Sequence, residues 1–332
     1  MSDNLHMRLP PVGPAVPDIQ FALGLTGNVR HSRTYSIAWM LLVLLSTSAA
    51  LADGTLDPTS RQTLQLQIAL EREGFSPGIL DAKTGPKVLL ATTEFQRRNV
   101  TGTLEALNIG THDPIQSYTI SAPDVSQVVG TIPTDWNLKA KMLFLGYPSV
   151  ADAVAERFHC TRGLLDRLNP SANMAILKEG DTLSVPAIEK PKSIRGSRLQ
   201  IHLGEKVIRI LDREARVVAL FHCSIAKDES KRPSGTATVV SITTSPAYRF
   251  DPAMWPEVTN VNQKLLIPPG PRNPVGLCWI ALSLPGYGIH GTPTPEMIGK
   301  TGSHGCFRLT NWDATRLGGM VEPGMVVEFV GR

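Results

Sequence analysis

Long apolar runs are missing from this 332-residue sequence. The longest, Ile37–Leu45 (IAWMLLVLL), falls well short of the roughly 20 apolar residues a bilayer span needs, which excludes a polytopic membrane protein. Basic blocks are missing too. The 33 Lys and Arg outnumber 29 Asp and Glu by only four, and they are spread along the chain, so no nucleic acid partner is expected. Four cysteines are too few for a disulfide scaffold of this length. Paired C-x-x-C and H-x-x-x-H spacings are absent, which removes the usual zinc frameworks. What is present is a 42% hydrophobic content that rules out a wholly disordered chain. With 28 Gly and 26 Pro, about one residue in six, the chain is loop-rich without being low in complexity. The length suggests two domains, or three if some are small.

The short apolar run has a meaning of its own. Arg30, His31 and Arg33 precede it, and small residues ending Ala50-Leu51-Ala52 follow. A basic flank, an apolar stretch and A-x-A read as a secretory signal peptide cut after Ala52, so residues 1–52 are expected to be leader and signal. The alternative is an uncleaved N-terminal membrane anchor. Either way the expected location is the periplasm or cell envelope. Export puts Cys160, Cys223 and Cys278 in an oxidising compartment, but their apolar surroundings (RFHC, ALFHC, LCWIAL) suit inert core positions.

Three segments follow. Leu64, Ile68 and Leu70 to Phe75 suggest an amphipathic helix, and Val88, Leu89, Thr92, Phe95 and Gln96 suggest a second. The run Leu66-Gln67, Gly74-Phe75, Pro77-Gly78, Asp81, Gly85 and Phe95-Gln96 makes residues 58–106 resemble a small α-helical peptidoglycan-binding domain. Residues 107–140 are polar and Pro-punctuated, as in a linker or a short strand pair. In residues 141–188, Val150, Val154, Ala155 and Phe158 line one helical face and Leu164, Leu165 and Leu168 another. With Leu168-Asn169-Pro170 and the Gly180-Asp181…Val185-Pro186 ending, this stretch resembles an α+β LysM module, although no opening strand is visible in it. The two resemblances agree on one ligand, the peptidoglycan glycan. From 196 to 331 the texture changes to short β-rich runs separated by turn signals, with one late helix from Asn311 to Leu317.

The chemistry lies in Gly286–Ala314. His290, His304 and Cys306 fall within seventeen residues, bracketed by Gly288, Gly291, Gly302 and Gly305. A thiol nucleophile needs a base and a group that orients the base, and imidazole fits the base role near neutrality. Glycines let the backbone bend sharply and aim N–H groups at a developing oxyanion. Arg308, two residues past Cys306, points to the same side of an extended chain and suits a carboxylate. A lowered Cys306 pKa is expected from His290 and nearby positive charge. A zinc site or a purely structural turn are the competing readings, and the tight His304-Gly305-Cys306 spacing speaks against zinc.

The run IHGTP…IG…SHGCFRL closely resembles the L,D-transpeptidase catalytic domain of YkuD type. Arg232-Pro233-Ser234-Gly235-Thr236 and the segments Ile267–Gly270 and Asn273–Gly276 carry the resemblance upstream. It implies an all-β sandwich or barrel with a short helix, and a cysteine acyltransferase that needs no cofactor and no metal. By the same resemblance Cys306 would be the nucleophile, His290 its base and the Gly291 carbonyl the orienting group. Gly305 and Cys306 N–H groups would form the oxyanion hole with His304 nearby, Ser303 and Arg308 would meet the stem peptide, and Tyr287 would line the cleft. The implied partners are peptidoglycan stem peptides, with another stem, a free D-amino acid or an outer-membrane lipoprotein lysine as acceptor. Carbapenem-type β-lactams are the implied inhibitors. An L,D-carboxypeptidase and a non-catalytic wall-binding protein are the rival functions.

Overall fold

The computed structural model describes residues 56–98, 104–110, 112–255, 257–303 and 305–331. The leader and signal segment expected at 1–52 lies outside them. Helix α1 (Pro58–Arg72) starts where the Asp57 carboxylate accepts the Ser60 amide at 3.0 Å, with Pro58 in the first turn, where its missing N–H costs nothing. Helix α2 (Pro86–Arg98) packs back on the chain that follows α1, its Phe95 meeting Phe75 edge to face with centroids 5.6 Å apart. Gln67 of α1 is buried and holds the intervening loop. Its oxygen accepts from Ala82 N at 3.0 Å and its amide donates to the Asp81 carboxylate at 2.9 Å. The Leu66-Gln67…Asp81 pattern is thus scaffold, because an amide inside a helix pair satisfies a loop that would otherwise bury bare polar groups. This helical unit does not stand alone: Leu70, Phe75 and Phe95 share a core with Val207 and Leu220 of the C-terminal sheet.

The next unit corrects two expectations. Strand β1 (Ile115–Thr119) lies inside the segment expected as a linker, and it pairs antiparallel with β2 (Thr182–Pro186), Ile115 opposite Pro186. Between them run α3 (Ala122–Ser126), α4 (Trp136–Ala140), α5 (Val150–Arg157) and α6 (Arg162–Leu168). The unit that these two strands enclose therefore begins at 115, not 141. Its opening strand hid from the sequence because only Ile115 and Tyr118 are even partly buried, leaving no clean alternation. Residues 127–149, between α3 and α5, also separate the closing helices from the strand along the sequence, although Tyr118 meets Phe158 with ring centroids 4.8 Å apart. Side chains of Asn169 tie the unit shut: Nδ2 donates to Leu165 O at 2.8 Å and Ser184 O at 2.7 Å, while Oδ1 accepts from Ser184 N at 2.7 Å. Three bonds to backbone make Asn169→Ala cost about 2 kcal/mol, seen as a lower urea midpoint at unchanged slope. An unchanged midpoint would show the side chain to be replaceable.

The C-terminal part contains β3 (Arg198–His202), β4 (Val207–Leu211), β5 (Val217–His222), β6 (Gly235–Thr244), β7 (Tyr248–Phe250), β8 (Leu265–Ile267), β9 (Cys278–Leu282), β10 (Gly288–His290), β11 (Phe307–Arg308), α7 (Asn311–Gly318) and β12 (Val326–Val330). Eight strands form one sheet in the order β11-β10-β9-β6-β12-β3-β4-β5. The β12–β3 and β10–β11 pairs are parallel and the rest antiparallel. The two edges of the sheet meet. Just past β5, Ser224 and β11's Arg308 exchange backbone bonds of 2.8 and 2.9 Å, which curls the sheet around a core of Ile201, Phe221, Ile280, Ile289, Phe307 and Phe329. Closure of this kind removes unpaired edges, and Cys306 lies two residues before the Arg308 seam.

The hairpin β7–β8 stands apart from the main sheet. Its Tyr248, Phe250, Leu265 and Ile267 join Ile132, Trp136, Ala140 and Leu145 of the 127–149 segment in a separate core, where Trp136 stacks on Phe250 at 4.3 Å. All described residues fall in one compact unit spanning 50–332. Among them, no helix is long and apolar enough to cross a membrane.

Candidate active site

His290 ends β10, and the parallel register sets it opposite Arg308 on β11, two residues past Cys306. On its other side β9 supplies Trp279, whose indole stacks on the imidazole at 5.4 Å. That stacking depends on Gly288: a Cβ there would lie 2.5 Å from the Trp279 ring. His290 Nδ1 lies 2.6 Å from the Gly291 carbonyl oxygen. A carbonyl only accepts, so Nδ1 carries the hydrogen and the neutral ring presents Nε2 as a base. Burial, helped by the Arg308 cation, pushes the His290 pKa down to about 4, against the partial opposition of the Gly291 bond. At neutral pH His290 is therefore an uncharged imidazole of fixed tautomer.

Cys306 is half-buried at the start of β11, and its Sγ lies 3.5 Å from the Gly286 carbonyl. The sequence leads one to expect a depressed pKa here, and the structure corrects this. Burial raises the Cys306 pKa and outweighs the Gly288 backbone N–H and the Arg308 charge, both of which favour the thiolate. The resting pair is thus thiol and neutral imidazole. Burial also lowers the Arg308 pKa, countered by the Cys306 sulfur. Its Nη2 donates to the Gly302 carbonyl, while its buried Nε has no hydrogen-bond partner among the described residues.

The neighbouring residues divide by role. Ser303 Oγ donates to the Cys306 carbonyl at 2.5 Å and accepts the Gly305 amide at 3.2 Å. The hydroxyl expected to meet substrate is therefore tied into the turn that presents Cys306, and so is one of the two amides expected in the oxyanion hole. Tyr287 donates its hydroxyl to Lys231 O at 2.7 Å, and its ring passes 3.8 Å from where a Gly305 Cβ would stand. The ring thus packs beside the turn. His304 lies outside the described residues. Cys160 and Cys223 are buried and their pKa values are pushed up to about 12, and that of buried Cys278 to about 11, as expected of inert core thiols. Among the described residues no group of three or more His, Cys, Asp and Glu side chains gathers as a metal site.

Sequence reasoning missed three contributors. Trp279 sits inside an apolar strand run and gave no signal. Tyr248, on the β7–β8 hairpin, lies close enough for the Cys306 charge to add to the upward shift that burial gives its pKa. Asn311 was visible only as a helix start. Its Oδ1 accepts from Leu277 N at 3.1 Å, and a Cβ on Gly291 would stand 2.2 Å from that oxygen, so Gly291 must lack one.

Comparison with known proteins finds relatives of the C-terminal part of the chain. A family model of the L,D-transpeptidase catalytic domain, YkuD, matches residues 196–329. A Bacillus licheniformis protein named as an L,D-transpeptidase, YkuD, is 30% identical over 173 residues, covering 52% of this chain and 88% of that protein. Its Bacillus subtilis namesake is 27% identical over the same share of both chains. Among solved structures, L,D-transpeptidase 3 of Mycobacterium tuberculosis with a faropenem-derived adduct is similar at 15% identity and a TM-score of 0.33, covering 46% of this chain and 75% of that one. An Enterococcus faecium L,D-transpeptidase is 14% identical with a TM-score of 0.31, and this chain, matched over 54% of its length, spans 64% of it.

Proposed function

The chain belongs to the L,D-transpeptidase family, and from that premise we propose that it acts on peptidoglycan stem peptides through Cys306. The observation that carries the reading is the neutral His290, held by the Gly291 carbonyl with Nε2 free as a base in the strand beside Cys306. Substrate binding brings the carbonyl between diaminopimelate and D-Ala to Cys306 Sγ. The thiol proton passes to His290 Nε2 as the C–S bond forms, and the same proton goes to the departing D-Ala nitrogen as the C–N bond breaks. An acceptor amine then attacks the thioester, gives its proton to His290, and the thiolate leaves and is reprotonated. Arg308, with its unpartnered Nε, binds a stem carboxylate. The Cys306 N–H stabilises the oxyanion, joined by Gly305 once its amide turns from Ser303.

The acceptor is another stem peptide, giving a 3→3 cross-link, a free D-amino acid, or a lipoprotein lysine. The helical unit at 58–106 and the LysM-like unit serve as glycan-binding modules, and residues 1–52 direct the enzyme to the periplasm or cell envelope. Because these units share cores with the catalytic sheet and the β7–β8 hairpin, a bound glycan is presented at a fixed distance from Cys306 and not on a flexible tether.

Incubation of the purified protein with a carbapenem tests the nucleophile, since a strained β-lactam carbonyl acylates an activated thiol directly. A covalent adduct of one carbapenem mass is expected, and unmodified protein after prolonged exposure overturns the reading in favour of a wall-binding protein. Digestion of tetrapeptide stems in the presence of an acceptor amine then separates transfer from hydrolysis. Cross-linked or exchanged products support the transferase, and tripeptide alone makes it a carboxypeptidase.

A further inference from the structure

Helix α5 belongs to the LysM-like unit, yet one of its side chains is buried in the catalytic domain. Glu156 is 8% exposed. Its Oε1 accepts from Asn311 Nδ2 at 2.7 Å, its Oε2 from Arg272 Nη1 at 3.3 Å, and the Tyr147 hydroxyl adds a further bond. A buried carboxylate costs stability unless donors surround it, and here two of the three donors, Asn311 and Arg272, make further bonds of their own. Asn311 lies under Gly291, where no Cβ fits, and its Nδ2 also reaches Pro271 O at 3.0 Å. Arg272 donates to the Pro293 carbonyl at 2.5 Å. The carboxylate therefore joins Asn311, which packs against Gly291, to Arg272, which is bonded to Pro293. Gly291 is the residue whose carbonyl fixes the His290 ring.

We propose that Glu156 is a positioning residue for His290, so that a non-catalytic module completes the alignment of the base. The inference rests on the reading of Cys306 and His290 as the acylating pair. Loss of the carboxylate frees Asn311 and Arg272 to shift, the Gly291 carbonyl moves with them, and the imidazole loses its fixed tautomer and direction. Displacements of about 1 Å in such a group reduce rates by as much as a hundredfold. Binding should be spared, because the hydrogen bonds of Glu156 go to Asn311, Arg272 and Tyr147 and to none of Cys306, Ser303 and Arg308.

The test uses the full chain and a carbapenem, measuring the limiting acylation rate and the half-saturating concentration separately. Glu156→Ala is expected to lower the limiting rate between about tenfold and a hundredfold with half-saturation within about twofold. Glu156→Gln keeps an acceptor for Asn311 and should stay within about threefold of the parent. The His290 Nδ1–H proton resonance, downfield in the parent, should persist in Glu156→Gln and broaden or vanish in Glu156→Ala. Should Glu156→Ala fail to fold, Glu156→Leu fills the same space without an acceptor and carries the same expectation. Parent-like acylation together with an intact resonance in the Ala or Leu variant overturns the inference. So does equal loss in Glu156→Gln with that resonance unchanged. Failure of the parent to acylate instead overturns the proposed function itself.

Discussion

Cys306→Ala is expected to abolish covalent labelling by a carbapenem, with intact mass showing no adduct after hours, while the folded state survives. The nucleophile is the one atom for which the site has no substitute. Cys160, Cys223 and Cys278 are buried with pKa values near 12, 12 and 11, so none can form a thiolate at neutral pH or reach a ligand. Cys306 itself is half-buried at a turn held by backbone bonds and Ser303, and its removal takes away few packing contacts. A melting temperature within a few degrees of the parent should accompany the total loss of labelling. Labelling that persists would move the nucleophile elsewhere. Global unfolding would make the thiol a core residue instead.

Replacing His290 has the next largest effect, and its pH dependence carries a second test. Without the base, acylation in His290→Ala should fall by about 10² to 10⁴, and a loss smaller than tenfold would reassign the role, with His304 next to be tested. In the parent the burial that holds His290 near pKa 4 means the base is available across the neutral range. The acid limb of the acylation profile should therefore have its midpoint near pH 4 and not near 6.5. Stability follows the same group. The unfolded chain protonates this imidazole below about pH 6.5, whereas the folded one resists until about pH 4. The unfolded state binds more protons in that window, so stability falls as pH drops from 6.5 to 4. His222, buried and pushed down to about 3 by burial and Lys87, adds to the same slope. Asp313, whose pKa burial raises to about 6, titrates in the opposite sense and offsets part of this slope. A melting temperature that is level between pH 7 and 4.5 in Asp313→Asn would contradict both buried neutral imidazoles.

The site was legible in the sequence because its chemistry is local. His290, Gly291, Ser303, Cys306 and Arg308 lie within nineteen residues, and the glycines at 288, 291, 302 and 305 among them leave a dense mark. The late helix was legible for the same reason, through its Thr310 cap. What the sequence hid depends on partners far away in the chain. Strand β1 earns its pairing only from β2, sixty-odd residues on, and its own faces are too exposed to alternate. Glu156 reads as an ordinary polar position on an amphipathic helix, since nothing local reveals that Asn311 and Arg272 wait for it. The rise in the Cys306 pKa likewise comes from closure of the sheet, which excludes water by contacts no motif records.

The strand order has a temporal consequence. Strand β12 lies in the middle of the eight-stranded sheet, between β6 and β3, although it is the last to be made. Until residues 326–330 arrive, the sheet is two halves with open edges, and long-range pairing of this kind is slow to nucleate. A chain threaded N-terminus first through an export channel would remain without its catalytic sheet until the final strand emerged. His290 and Cys306 share the β11-β10-β9-β6 half, and in the strand order only β12 joins that half to β3, β4 and β5.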